Sequence, residues 1–151
     1  MAVGRYTSDL DVGDVLGPVD YVMSKFVVRE YCHSVEMHQP CFQGRDIPFA
    51  PPTLVHLNKL RLYRHACPEG TGPSARVHIE YDATVHAGVP VGVPLRVKGT
   101  VVERRIKRGR DYVTVDIELR TVAGDRLLID YRDTVIVAYR SKDQALGGAT
   151  P

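Results

Sequence analysis

Between Ala66 and Arg76 the hydrophobic period of this chain changes, and that change limits the fold more than any other feature. The stretch Pro68-Glu69-Gly70-Thr71-Gly72-Pro73 stops any helix that precedes it. Beyond it, Val77, Ile79, Tyr81 and Val85 alternate with Arg76, His78, Glu80 and Asp82, the period of a half-buried strand. Leu95 and Val97 begin a second strand, whose apolar phase slips near Val101-Val102 as a bulge would make it. Val113, Val115, Ile117 and Leu119 form a third alternation, and Leu127, Ile129, Tyr131, Val135 and Val137 a fourth. The connections Lys107-Arg108-Gly109-Arg110 and Ala123-Gly124-Asp125 are short and contain glycine, which suits hairpins.

The first half has helical spacing. Ser24 is placed to cap a helix through about Glu36, with Val27, Tyr31 and Val35 on one face. A turn-rich segment, His38 to Pro48, leads to Ala50-Pro51-Pro52-Thr53. Proline suits the first turn of a helix, where its missing N–H is no loss. Thr53 to Ala66, carrying Leu54, Val55, Leu57, Leu60 and Leu62, then reads as a largely buried helix. The expected class is α+β, an antiparallel sheet with one long apolar helix covering a face.

At 151 residues the chain suits one domain, expected over 1–140, with 141–151 as a loose Gly-rich tail. No run of about 18 apolar residues suggests a membrane span, and Met1 to Asp14 lack the pattern of a secretory signal. Twenty basic against 18 acidic residues give a charge of +2, which favours neither a membrane surface nor a nucleic-acid groove. Three cysteines, Cys32, Cys41 and Cys67, show no C-x-x-C spacing, so reduced thiols in the cytoplasm are expected. Glu30 and His33 have a metal-site spacing in single copy only, and no metal or other cofactor is expected.

Asp133 breaks the last strand, since it shares a face with Tyr131 and Val135 where a bare carboxylate is costly. Either an Arg or a backbone N–H satisfies it near a strand end, or it faces a cavity or a subunit interface.

The order of elements resembles the hotdog fold, and more narrowly the MaoC-like family of (R)-specific hydratases and dehydratases. The resemblance spans about Asp11 to Tyr139 and rests on Tyr31 to Phe42, Ala50-Pro51-Pro52-Thr53 and Gly109-Arg110-Asp111-Tyr112-Val113. It implies a curved antiparallel sheet wrapped around the helix Thr53 to Ala66. In that family the first helix runs into an Asp-x-Asn-Pro-x-His motif, whose Asp and His move the protons of hydration. Laid on this chain, the motif puts Met37 at the Asp, Gln39 at the Asn, Pro40 at the Pro and Phe42 at the His. Neither Met nor Phe transfers protons, and the loop leading to Ala50 is shorter than in the family.

The resemblance implies an acyl-thioester tunnel with substituted chemistry. His38 and Asp46 are the candidate catalytic groups, while Met37, Phe42, Phe49, Thr53, Leu54 and His56 are the candidate substrate-binding residues. Backbone N–H groups near Thr53 and Leu54 would hold the thioester carbonyl. Arg104, Arg105, Lys107, Arg108 and Arg110 crowd one hairpin, either as a solvated turn or as a dock for coenzyme A or an acidic carrier protein. Two functions stay open. One is a dehydratase-like enzyme acting on an acyl-CoA or acyl-carrier-protein thioester or a polyketide-derived molecule, by dehydration or hydration, isomerisation or cyclisation. The other is a non-catalytic hotdog subunit that stabilises a catalytic partner. Either implies a homodimer or a heterodimer with a related hotdog subunit.

Overall fold

The computed structural model describes residues 6–57, 59–70 and 76–137; the expected tail lies outside them. In chain order the elements are β1 (Val15–Val22), α1 (Lys25–Ser34), α2 (Pro40–Gln43), β2 (Phe49–Ala50), α3 (Pro52–His56), α4 (Lys59–Ala66), β3 (Val77–Val85), β4 (Val89–Pro90), β5 (Pro94–Lys107), β6 (Arg110–Thr121) and β7 (Leu127–Val137). Five strands make one antiparallel sheet in the order β1-β5-β6-β7-β3. The two short strands β2 and β4 pair separately.

The sheet's inner face is the core. Val113, Val115, Ile117 and Leu119 on the central strand β6 are all buried against Leu95, Val97 and Val101 of β5. The outer face is charged and tied across strands by Asp20–Arg96 and Asp116–Arg132 pairs. The β5–β6 hairpin turns on Arg108 and Gly109, with φ of 51° and 70°, the left-handed pair of a type I′ turn. The expected slip in β5 is a bulge between Val101 and Glu103.

Three expectations shift. The long helix is two: α3 ends at His56, Leu57 caps it, and α4 begins at Lys59. Leu54, Val55, Lys59, Leu62 and Tyr63 are buried, whereas Leu57 is exposed with Arg61, Arg64 and His65. Apolar count overstated the burial because only one side of these helices meets the sheet. Gly99 lets α4 come close, since a Cβ there would lie 3.4 Å from Leu62 Cδ1 and 3.1 Å from Val115 Cγ1.

In α1 the Ser24 hydroxyl does accept from the Val27 N–H, at 3.2 Å. The helix stops at Ser34, two residues early, where Glu36 takes a φ of 55° and the Met37 N–H bonds the Cys32 carbonyl at 2.8 Å. Its buried residues are Val28 and Cys32, and Val27 and Val35 are exposed. Two apolar rows lie side by side here, so spacing fixed the period and left the phase open.

Strand β1 was not expected at all, because Gly17-Pro18 interrupts it. It survives as an edge strand with a register shift between Leu16 and Val19, where proline forfeits no ladder bond.

Candidate functional site

A bulge in β3 builds the site. The β3–β7 register runs from His78 opposite Val135 directly to Glu80 opposite Thr134, leaving Ile79 extra. The extra residue reverses the alternation, so His78 joins Tyr81 on the inner face, where plain period two would have put it outside. Tyr81 lies opposite Asp133 in the ladder.

Asp133 is fully buried, and both of its carboxylate oxygens accept hydrogen bonds. Lys59 Nζ donates to Oδ1 at 2.8 Å and the Tyr63 hydroxyl donates to Oδ2 at 2.9 Å. His78 Nδ1 lies 2.9 Å from the same Oδ1 and 2.9 Å from Lys59 Nζ. The Asp133 carboxylate therefore faces the interior, with Lys, Tyr and His as its partners and no Arg. Arg76 stacks on the far side of Tyr63, 4.4 Å from its ring centre. Burial, reinforced by the neighbouring carboxylate, holds the Tyr63 phenol well above its ordinary pKa, so it remains a donor.

His56, the last residue of α3, lies between this cluster and open space. Its ring meets Tyr81 edge-on at 3.8 Å between centres and lies 5.6 Å from His78. Its Nδ1 is buried and makes no hydrogen bond, as is the hydroxyl of Tyr131. Burial first, and then the Lys59 charge, lowers its pKa below the usual 6.5, so the ring is neutral at neutral pH. Burial and Asp133 push the Tyr81 phenol up to about 12.

His56 and Tyr81 line a cavity of about 280 Å³ with Pro52, Thr53, Ala83, Val85 and Ile129. A second, almost wholly apolar cavity of about 290 Å³ shares Pro52 and Val85 with it and is walled by Phe42, Phe49 and Val89. Together they make a groove with an imidazole and a phenol at one end and hydrocarbon at the other.

The other candidates scatter. Phe42, Phe49 and Thr53 line the groove, while Met37 packs half-buried against the core. Leu54 is buried, and its N–H already bonds the Pro51 carbonyl at 3.0 Å, so it is not free to hold a substrate oxygen. His38 is exposed and pairs with the Gln43 amide at 2.9 Å. Asp46 is wholly exposed, 3.8 Å from Lys25. Neither of these two lines the groove. The basic hairpin is not one free patch: Arg104 binds Asp111 and the Leu10 carbonyl, and Arg105 lies near Glu103 and over Tyr112. Lys59, Tyr63, His78 and Tyr81 were not singled out from sequence. The spacing of His56, Lys59 and Tyr63, at i, i+3 and i+7 on one face of the helix expected over Thr53 to Ala66, is the available signal.

Chemically, a neutral imidazole beside a high-pKa phenol can take a proton from carbon and return it to oxygen, with the phenol orienting the substrate.

No family model matches the sequence, and no curated protein does. In fold, the chain is similar to solved structures. An Archaeoglobus protein described as a monoamine oxidase regulatory protein aligns at a TM-score of 0.72 and 14% identity, over 93% of this chain and 100% of that one. The HadBC (3R-hydroxyacyl-ACP dehydratase) complex of Mycobacterium tuberculosis aligns at 0.71 and 16%, over 83% and 96%. The (R)-hydratase from A. caviae involved in PHA biosynthesis aligns at 0.67 and 14%, over 85% and 98%.

Proposed function

We propose, from the hotdog fold that this chain shares with MaoC-like dehydratases and (R)-hydratases, that it is a dehydratase-like enzyme acting on an acyl thioester. The chemistry centres on His56. The observation that carries this reading is a neutral imidazole, without a partner at its buried Nδ1, that lines a mainly apolar groove beside the Tyr81 phenol. In dehydration, His56 takes the α-proton of a 3-hydroxyacyl thioester and gives it to the departing β-hydroxyl. The C–H and C–O bonds break, the double bond forms, and one water leaves. Tyr81 orients the hydroxyl, the Thr53 hydroxyl faces the thioester carbonyl, and the acyl chain lies along Phe42 and Phe49. His38 and Asp46 are not needed.

The partner is a second hotdog subunit, the same chain or a related one. The exposed edge strand β3, with Val77, Ile79 and Val85 open to solvent, supports this, as does a structural neighbour that is itself a complex.

The test is a mass-spectrometric screen of 3-hydroxyacyl and 2-enoyl thioesters of increasing chain length, with the protein alone and with a related hotdog subunit. Interconversion that His56→Gln abolishes supports the reading. Turnover that appears only with the partner, and survives His56→Gln, favours the non-catalytic subunit instead.

A further inference from the structure

Tyr63 also walls a cavity of about 230 Å³ that it shares with Thr7, Leu60, Arg64, Cys67 and Arg76. This cavity has no lining residue in common with the groove that holds His56 and Tyr81. Its rim is tied by backbone. The Thr7 N–H and hydroxyl both donate to the Gly70 carbonyl, at 2.9 and 3.2 Å, and the Gly70 N–H bonds the Cys67 carbonyl at 3.1 Å. These bonds join the segment before β1 to the loop after α4.

Two guanidiniums meet this cavity and, among the described residues, no carboxylate does. Arg64 lies in the last turn of α4, and Arg76 immediately precedes β3. Neither forms an ion pair among the described residues, whereas Arg96, Arg104, Arg120 and Arg132 each hold an Asp or Glu. Asp9, close to Thr7 in sequence, turns its carboxylate to the Tyr6 N–H at 2.8 Å. Asp133, bonded to the Tyr63 hydroxyl, is already neutralised by Lys59. The sequence 71–75, Thr-Gly-Pro-Ser-Ala, contains no acid.

The Arg76 guanidinium lies 4.4 Å from the centre of the Tyr63 ring. The stack occupies its face, while the N–H groups lie in its plane and remain available to an acceptor. One such fork serves a planar carboxylate. Two forks around one small space suit a tetrahedral oxyanion, which presents acceptors in several directions at once. A water takes about 30 Å³ in the liquid, so the cavity has room for phosphate with part of its hydration.

We propose that this cavity is a phosphate site, in which Arg64 and Arg76 hold inorganic phosphate or the terminal group of a phosphomonoester. The site stands apart from the groove and does not depend on the reaction at His56.

The experiment is a calorimetric titration with inorganic phosphate at constant ionic strength, on wild type, Arg64→Gln, Arg76→Gln and Arg126→Gln. Arg126 is exposed at the opposite end of the sheet, so its variant removes the same charge away from the cavity. Wild type and Arg126→Gln should bind phosphate saturably and alike. Arg76→Gln should weaken binding about ten-fold, the scale of one charge-assisted hydrogen bond. Arg64 is more exposed, and its variant should weaken binding several-fold. Acetate should not displace phosphate. No saturable binding, equal loss in all three variants, or displacement by acetate overturns the proposal. Because Arg64 is at the surface, Arg64→Gln keeps the test decisive if Arg76→Gln fails to fold. A second titration, with coenzyme A, separates the two sources. Displacement of phosphate that Arg76→Gln abolishes assigns the site to a phosphomonoester tail, and no displacement assigns it to the free anion. Both titrations are read without turnover, so failure of the reaction at His56 leaves their result intact.

Discussion

Asp133 Oδ1 accepts from Lys59 Nζ at 2.8 Å across 74 positions of sequence, joining α4 to β7 inside the core. A charge pair taken out of water survives only when every lone pair and proton is satisfied. Here Tyr63 completes the carboxylate and His78 engages the ammonium. Breaking the pair from one side should be costly. Lys59→Met should lower unfolding free energy by about 3–5 kcal/mol, the usual cost of orphaning a buried charge. Lys59→Met combined with Asp133→Leu should recover most of it. Urea denaturation measures both, and additive losses in the double variant would contradict the pairing.

Stability should depend on pH through His56. Its folded-state pKa lies below the ordinary 6.5, so the unfolded chain binds the proton first as pH falls. Stability is then greater above about pH 6.5 and is lost as pH drops toward the folded pKa. His56→Gln should flatten the slope of unfolding free energy between about pH 7 and pH 5. An identical slope in both proteins would remove His56 from the account.

Much of the fold was legible because period-two alternation is a strong pattern. The strands from Val77 onward, the bulge near Val102 and the Arg108-Gly109 turn all follow from it. The site was harder to see, and the reason is one residue. Ile79 breaks the alternation without any glycine or proline to mark it, and so His78 looked like a solvated residue. Asp133 is visible in the sequence as an anomaly, but its partners Lys59 and Tyr63 lie among the leucines of an apolar helical stretch, where nothing marks them as its partners. His38 and Asp46 are near the Met37–Phe42 segment in sequence. Their exposure in space gives neither a desolvated environment nor a place on the groove.

The hydrocarbon end of the groove is set by Phe49 lying on a glycine. A Cβ at position 88 would fall 2.7 Å from Phe49 Cδ1, so Gly88→Ala must displace the ring. Phe49 is half exposed and can swing, so the stability cost should stay within about 1–3 kcal/mol. Steady-state kinetics should show KM rising for long-chain thioesters and little change for short ones. Equal effects on all chain lengths would place the acyl chain elsewhere.

The most direct test of the central claim is the rate of 3-hydroxyacyl thioester dehydration by wild-type, His56→Gln, His38→Ala and Asp46→Asn proteins, on a substrate long enough to fill the groove. On the register that lays the family motif over Met37 and Phe42, crotonyl-coenzyme A should be hydrated slowly or not at all, whereas the long substrate should turn over. Losing one positioned acid–base group costs about 10² to 10⁴ in rate, and that loss should fall on His56→Gln alone, with His38→Ala and Asp46→Asn near wild type. Full activity in a folded His56→Gln protein, or loss confined to His38→Ala or Asp46→Asn, would contradict the account.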